Sequence, residues 1–154
     1  SLEEAGWFYY RTKDYPRAVS MLAQAVLQQP SAEGYAKLGH ARLKLGQGDG
    51  IVEAWGQALA LDPTRADLYK ALGDLSLEQG CEEQAEAFLQ EACRLEEDDS
   101  DACEKLARLY LKRGAYLEAG RCYENMLRLA PNRTDLMLQI AALYQRQVSM
   151  ATTQ

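Results

Sequence analysis

Five side chains are the natural candidates for metal or nucleophile chemistry: Cys81, Cys93, Cys103, Cys122 and the single histidine, His40. A structural zinc site takes four nitrogen or sulfur ligands, usually delivered in close pairs. Here the cysteines lie 12, 10 and 19 residues apart and no Cys-x-x-Cys occurs. They read as small packing residues or free thiols, which points to a cytosol-like reducing compartment. His40 has no nearby cysteine to activate, and nucleophilic catalysis needs an oriented pair. The run Glu96-Glu97-Asp98-Asp99-Ser100-Asp101 has the charge of a cation loop. It lacks the alternating ligands, central glycine and closing glutamate of an EF-hand, so it reads as a solvated turn. No P-loop, Gly-x-Ser-x-Gly or His-Glu-x-x-His is present. The expectation is no enzyme, no cofactor and no metal site.

What remains is binding chemistry, and its residues recur at a fixed spacing. Tyr10, Leu43, Leu77 and Leu111 form an apolar row, and the last three are 34 residues apart. Trp7 and His40 stand one helical turn before Tyr10 and Leu43. Arg11, Lys44, Lys70, Arg108 and Lys112 flank the row, set against Glu33, Asp67, Asp74, Glu78, Asp101 and Glu104. An apolar line with mixed charge beside it suits an amphipathic helix or an extended peptide, held by side chains and oriented by charge. The competing reading is that the leucines touch neighbouring side chains and the charges are merely solvated. For the column Glu33, Asp67, Asp101 and Asp135 the structural reading is preferred. Each opens a helix, where a negative charge stabilises the helix dipole by about 0.3–1 kcal/mol.

The elements that position these residues repeat with the same period. Leu38-Gly39, Leu72-Gly73, Leu106-Ala107 and Ile140-Ala141 fall in step, as do Tyr35, Tyr69, Cys103 and Met137. Within each unit the apolar steps are i, i+3, i+4 and i+7, the helical period. The row of Leu43, Leu77 and Leu111 centres about 140° away from that packing stripe, counting about 100° per residue. Gly46, Gly80 and Gly114 end the first helices. The second helices carry Ile51, Trp55 and Ala58; Ala85, Leu89 and Ala92; Ala119, Tyr123 and Met126. Pro30, Pro63 and Pro131 then turn the chain, with Glu97 in that phase once. Asp14 is placed to cap the second helix of the first unit, with Pro16 in its first turn.

A 34-residue period in helix pairs is the signature of a stacked helix–turn–helix array. The columns resemble the tetratricopeptide repeat family: Leu and a small residue on the first helix, small–large–small on the second, and proline in the loop. The resemblance covers essentially the whole chain. It implies an all-α fold, a right-handed superhelical α-solenoid of antiparallel helix pairs, with four units plus a C-terminal helix. The reading is a single domain over 1–154, with repeats at about 1–31, 32–65, 66–99 and 100–133, a final helix at 134–149 and a tail at 150–154. In that family first helices line a concave groove where peptides dock. The resemblance therefore makes Trp7, Tyr10, Arg11, His40, Leu43, Lys44, Lys70, Asp74, Leu77, Glu104, Arg108, Leu111 and Lys112 the expected partner-binding set. The family's Lys/Asn clamp for a carboxy-terminal acid is missing: Glu3 and Trp7 stand at its place in the first unit, and Lys70 and Asp74 in the third. Arg42 and Ser76 replace the usual aromatic, Lys13 stands where the first turn normally has glycine, and Ile51 fills a column of small residues. Gly46, Gly48, Gly50 and Gly56 gather in the second unit, where helix-interior glycine costs about 0.5–1 kcal/mol against alanine. Residues 46–56 are expected to be the least protected part of the middle of the array.

Composition agrees with an interaction module. The chain is 47% hydrophobic and 26% charged, with a formal net charge of -6. An acidic balance without a basic cluster disfavours nucleic acid. No 18-residue apolar run exists, so no membrane insertion is expected. The chain opens inside a helix pattern, and both the Trp7-Phe8-Tyr9-Tyr10 cluster and the last helix (Leu136, Met137, Leu138, Ile140, Leu143) are more apolar than a finished cap. The expectation is a segment of a longer protein, with self-association through the apolar terminal helices as a further outcome. The leading function is a scaffold or adaptor that holds a peptide or helix of a protein partner. The alternatives are a secretion-type chaperone, the targeting arm of an enzyme, or an envelope assembly factor. The compartment expected is the cytoplasm, or the periplasm or envelope if an upstream signal was trimmed.

Overall fold

The computed structural model describes residues 1–95 and 100–153. Among the described residues the chain is helical throughout. Its elements are α1 (Leu2–Arg11), α2 (Tyr15–Gln28), α3 (Ala32–Leu45), α4 (Gly48–Leu61), α5 (Ala66–Glu78), α6 (Glu82–Leu95), α7 (Asp101–Lys112), α8 (Tyr116–Leu129) and α9 (Thr134–Thr152). Odd-numbered helices are the first of each repeat and even-numbered helices the second. Of the acidic run 96–101 expected as a solvated turn, residues 96–99 lie outside the described residues, while Ser100 stands at the N-cap of α7 and Asp101 is its first residue.

The helix boundaries follow local chemistry. Ser1 and Glu4 form a reciprocal capping box on α1, and the Asp14 carboxylate accepts from the Arg17 amide with Pro16 in the first turn of α2. The Ser31 hydroxyl accepts from the Gly34 amide at 2.9 Å, satisfying a donor that the helix itself leaves unpaired. Gly46, Gly80 and Gly114 take φ of 79°, 75° and 73° after α3, α5 and α7. Lys13 adopts φ 65° in the corresponding turn after α1, so the first repeat makes the same turn with a side chain that disfavours it. The final helix continues to Thr152, past the boundary at 149 expected from periodicity.

Two compact units divide the chain, Ser1–Leu68 and Tyr69–Gln154. In the first, the core joins Ala18, Leu22, Val26, Leu38, Ala41 and Ala54, with Tyr9 and Tyr35 packed on it. Trp55 is fully buried and donates its indole N–H to the Ala36 carbonyl at 3.3 Å. The small column does the work assigned to it: a Cβ on Gly39 would stand 2.3 Å from the Trp55 ring, and one on Gly6 would stand 2.6 Å from Leu22. Arg42, which replaces an aromatic, bends back to donate to the Gly50 carbonyl at 2.9 Å. Its aliphatic stem occupies the space a Cβ at Gly50 would need, 2.8 Å away. Ile51, out of pattern by size, is nonetheless buried.

The second unit has the larger core, with Leu89, Ala92, Cys103, Leu106, Ala107, Tyr110, Ala119, Met126 and Leu136 at its centre. Gly73 lies under Leu89, where a Cβ would approach to 2.8 Å, and Gly120 lies under the Tyr144 ring at the same distance. Tyr144 also donates its hydroxyl to Glu124 at 2.7 Å, tying α9 to α8.

The cysteines correct the expectation of packing residues and free thiols. Cys93 and Cys103 form a disulfide with their Cα atoms 4.9 Å apart, while Cys81 and Cys122 are free. The bond joins the last turn of α6 to the first turn of α7, ten residues apart in sequence. The side-chain amide of Asn125, from α8, lies 3.3 and 3.2 Å from the two sulfurs. Cys122 is buried, and that burial pushes its thiol up to about 12.

Candidate interaction site

In the second unit, first helices α5 and α7 bound a cleft of about 510 Å³ lined by Asp74, Leu77, Gly80, Glu82, Lys105, Arg108, Leu109 and Lys112. Leu77 presents its side chain at 37% exposure, while Leu109 is buried behind the surface. The cleft thus has an apolar floor between two charged walls. Lys105 donates to both carboxylate oxygens of Asp74 at 2.9 Å and pairs with Asp101 at 3.2 Å. Burial works to lower the Lys105 amine, but the hydrogen bonds and charges of Asp74 and Asp101 outweigh it, leaving its pKa above the usual lysine value. Lys112 pairs with Glu82, and Arg108 with Glu104 at 2.6 Å. The pairs at Arg108 and Lys112 are solvent-exposed, and exposed pairs are individually weak. An incoming carboxylate can exchange with them at little cost.

Of the residues expected at the site, Asp74, Leu77, Arg108 and Lys112 meet in this cleft. Glu104 stands beside it through Arg108, and Lys70 pairs with Asp101 at 3.5 Å. Leu111 shares the phase of Leu77 but is half-buried and packs against the core of the unit. Lys105 and Leu109 line the cleft without having been singled out by sequence. The signal for Lys105 was available: it stands 31 residues from Asp74, one turn short of the repeat. That is the spacing at which neighbouring first helices bring side chains face to face.

The first unit arranges its residues differently. Trp7 and Tyr10 stack with ring centroids 4.4 Å apart and planes 5° from parallel, and Tyr10 meets the Tyr15 ring edge-on at 5.6 Å. The Lys37 amine lies 5.5 Å over the Trp7 ring and bonds Glu3 at 2.8 Å. This aromatic plate is anchored by a cation, an arrangement worth about 0.5–1 kcal/mol at an exposed site. Arg11, Leu43 and Lys44 are exposed on the same first helices. His40 packs edge-on against Trp55 at 5.2 Å, and burial lowers its pKa below the ordinary 6.5. It therefore serves the core of α3 and α4 as a neutral ring.

The acidic column behaves as helix-start charge. Glu33 accepts from Arg65 at 3.0 Å, and Asp67 takes a two-pronged contact from the same guanidinium at 2.9 and 2.8 Å. Those hydrogen bonds hold the Asp67 carboxyl below its usual range. Asp135 is bonded in the same way by Arg133 at 3.1 and 2.7 Å. Among the described residues no group of three or more His, Cys, Asp or Glu side chains is placed to hold a metal ion, and no helix is long and apolar enough to cross a membrane.

A family model described as tetratricopeptide repeat matches residues 102–137, which span α7, α8 and the start of α9. No curated protein matches the chain by sequence. Among solved structures the chain is similar to MamA protein, at 23% identity and a TM-score of 0.72, over 95% of this chain and 80% of that one. It is similar to the C-terminal part of a TPR repeat-containing protein from Cytophaga hutchinsonii, at 20% identity and a TM-score of 0.77. That match covers 96% of this chain and 59% of that one. A third likeness is to the structure of Naa15/Naa10 bound to HypK-THB, at 18% identity and a TM-score of 0.74, over 98% of this chain and 23% of that one. These likenesses, all below 25% identity, establish the shared fold.

Proposed function

We propose that this chain, which has the fold of tetratricopeptide-repeat proteins, is a non-catalytic scaffold that holds a peptide or helix of a protein partner against its first helices. The observation that carries this reading is the α5–α7 cleft, where Leu77 supplies an exposed apolar floor between opposed charges. A ligand segment fits it by inserting an apolar side chain over Leu77 and setting acidic groups toward Arg108 and Lys112. In the first unit, Trp7, Tyr10, Arg11, Leu43 and Lys44 offer a second contact of aromatic and basic character. A solved relative of the same fold is described in complex with other chains, which supports protein partners as the ligand class. The secretion-type chaperone, and the targeting or assembly arm of a larger enzyme or envelope complex, remain as narrower versions of the same binding role.

The Cys93–Cys103 pair favours an oxidising compartment such as the periplasm or the envelope over the cytosol-like one suggested by cysteine spacing. A photo-crosslinking residue at Leu77, in the intact protein, tests the site. The reading expects partner adducts from that position and none from Leu117, exposed on second helix α8. Equal adducts from both positions, or adducts from Leu117 alone, would remove the cleft from the account.

A further inference from the structure

Between the second helices α2 and α4 the first unit holds a groove of about 290 Å³. Its floor is apolar, with Val26, Leu38 and Ala54 buried beneath it. At its rim Leu27 is 82% exposed, more than any other large apolar side chain among the described residues. Two differences from the second unit keep this groove open. There, Tyr110 is buried and its hydroxyl joins Gln90 and Glu86 of α6, while the Asn125 amide of α8 reaches the sulfurs of Cys93 and Cys103. Two repeats earlier the phases of Tyr110 and Asn125 are held by Arg42 and Gln57. Arg42 turns to the Gly50 carbonyl at 2.9 Å, and Gln57 is exposed.

The charges beside the groove are acidic. The only charged residues of α4 are Asp49 and Glu53, one turn apart. Both are exposed, Glu53 lines the groove, and neither joins an ion pair among the described residues. The single charge of α2, Arg17, sits in its first turn and pairs with Asp14 at 3.4 Å. We propose that this groove docks a basic amphipathic segment of a protein partner. An aliphatic side chain of the segment enters beside Leu27, and lysine or arginine side chains meet Asp49 and Glu53. The volume decides for a side chain: pockets that take whole small molecules begin at about 300 Å³. The acids decide the flanks, since complementary charge fixes the register of a docked segment and like charge repels it. Residues four apart on a helix are neighbours, so bases at that spacing on the segment reach both acids. The charge preference is opposite to that of the α5–α7 cleft, where Arg108 and Lys112 are set to receive acidic groups. Neither reading depends on the other.

Titration of a model helix into the isotope-labelled 154-residue chain, followed by backbone amide shifts, provides the test. The probe matches α4 in length, at 14 residues, and carries leucine and lysine at helical spacing on an alanine background. A control probe has glutamate in place of each lysine. The leucine–lysine probe should shift the amides of Leu27, Glu53 and Gln57 saturably, and the glutamate control should leave them in place. Leu27→Ser and Glu53→Lys should each weaken binding by at least about tenfold, and Asp49→Lys should do the same from one turn away. All three positions are exposed, so the helical circular-dichroism signal and the urea midpoint should stay at their wild-type values. Affinity that survives Leu27→Ser would reduce the contact to charge attraction and overturn the proposal. So would equal shifts with the glutamate control, or a saturable shift that appears only outside α2–α4.

Discussion

The Trp55 ring lies directly over Gly39, so close that a Cβ on that glycine would stand 2.3 Å from two ring atoms. Trp55 also donates its N–H to the carbonyl of Ala36, one turn before Gly39 on α3. One side chain thereby sets both the separation and the register of α3 and α4. Gly39→Ala should destabilise the first unit by about 1–3 kcal/mol through overpacking. Trp55→Ala should cost about 3–5 kcal/mol through the cavity it leaves. Urea unfolding of each variant checks this, and a Gly39→Ala midpoint equal to wild type would contradict the packing described.

Next to that contact, His40 gives the first unit a pH response. Burial comes first in lowering its pKa; Asp67 and Glu33 pull it up, and Arg65 and Lys44 push it down. A histidine depressed in the folded state contributes stability that is fully present above its unfolded value of about 6.5. That contribution is lost as pH falls through the folded pKa, because the unfolded chain binds the proton more readily. Stability should therefore decline as pH falls below about 6.5, and His40→Gln should flatten that decline. Parallel urea titrations from pH 8 to pH 5 measure it, and equal slopes for the two proteins would rule the histidine out.

Much of this was legible in sequence, for a physical reason. Columns that pack helix on helix must repeat, since every repeat solves the same steric problem; Gly6, Gly39 and Gly73 under Leu22, Trp55 and Leu89 are that problem solved three times. The cysteine pairing was not legible. A ten-residue spacing says nothing until two helix ends are known to meet, and Cys103 sits in a column held by tyrosine in the two preceding repeats. The cleft was half legible. Phase marked Leu77 and Leu111 as equivalents, yet core packing around α7 draws Leu111 in and leaves Leu77 out. Departures from the pattern also proved coupled: Arg42 turns toward Gly50, so two irregular positions fit each other.

The disulfide ties the end of α6 to the start of α7. Its reduction should destabilise the second unit by about 2–4 kcal/mol, the usual range for a native cross-link. Unfolding with and without dithiothreitol measures the effect, and the Cys93→Ala/Cys103→Ala variant should lose the difference. A midpoint unmoved by reductant in the wild-type chain would contradict a formed bond.

Protection from hydrogen exchange should be lowest, within the middle of the array, at residues 46–50. There α4 begins with no side-chain cap and with Gly48 and Gly50 in its first turn, whereas buried Ile51 and Trp55 hold the rest of the helix. Amides at 46–50 should exchange faster than those at 82–86 in α6. Mass-spectrometric exchange giving equal rates in the two stretches would count against this.

The scaffold reading rests most directly on Leu77. With the partner segment captured by cross-linking and then prepared as a peptide, its affinity for the intact protein can be titrated against Leu77→Glu. The account predicts at least about a tenfold loss of affinity, as expected when a buried apolar anchor is replaced by a charge, with the helical signal and unfolding midpoint unchanged. An affinity equal to wild type in a folded Leu77→Glu protein would contradict it.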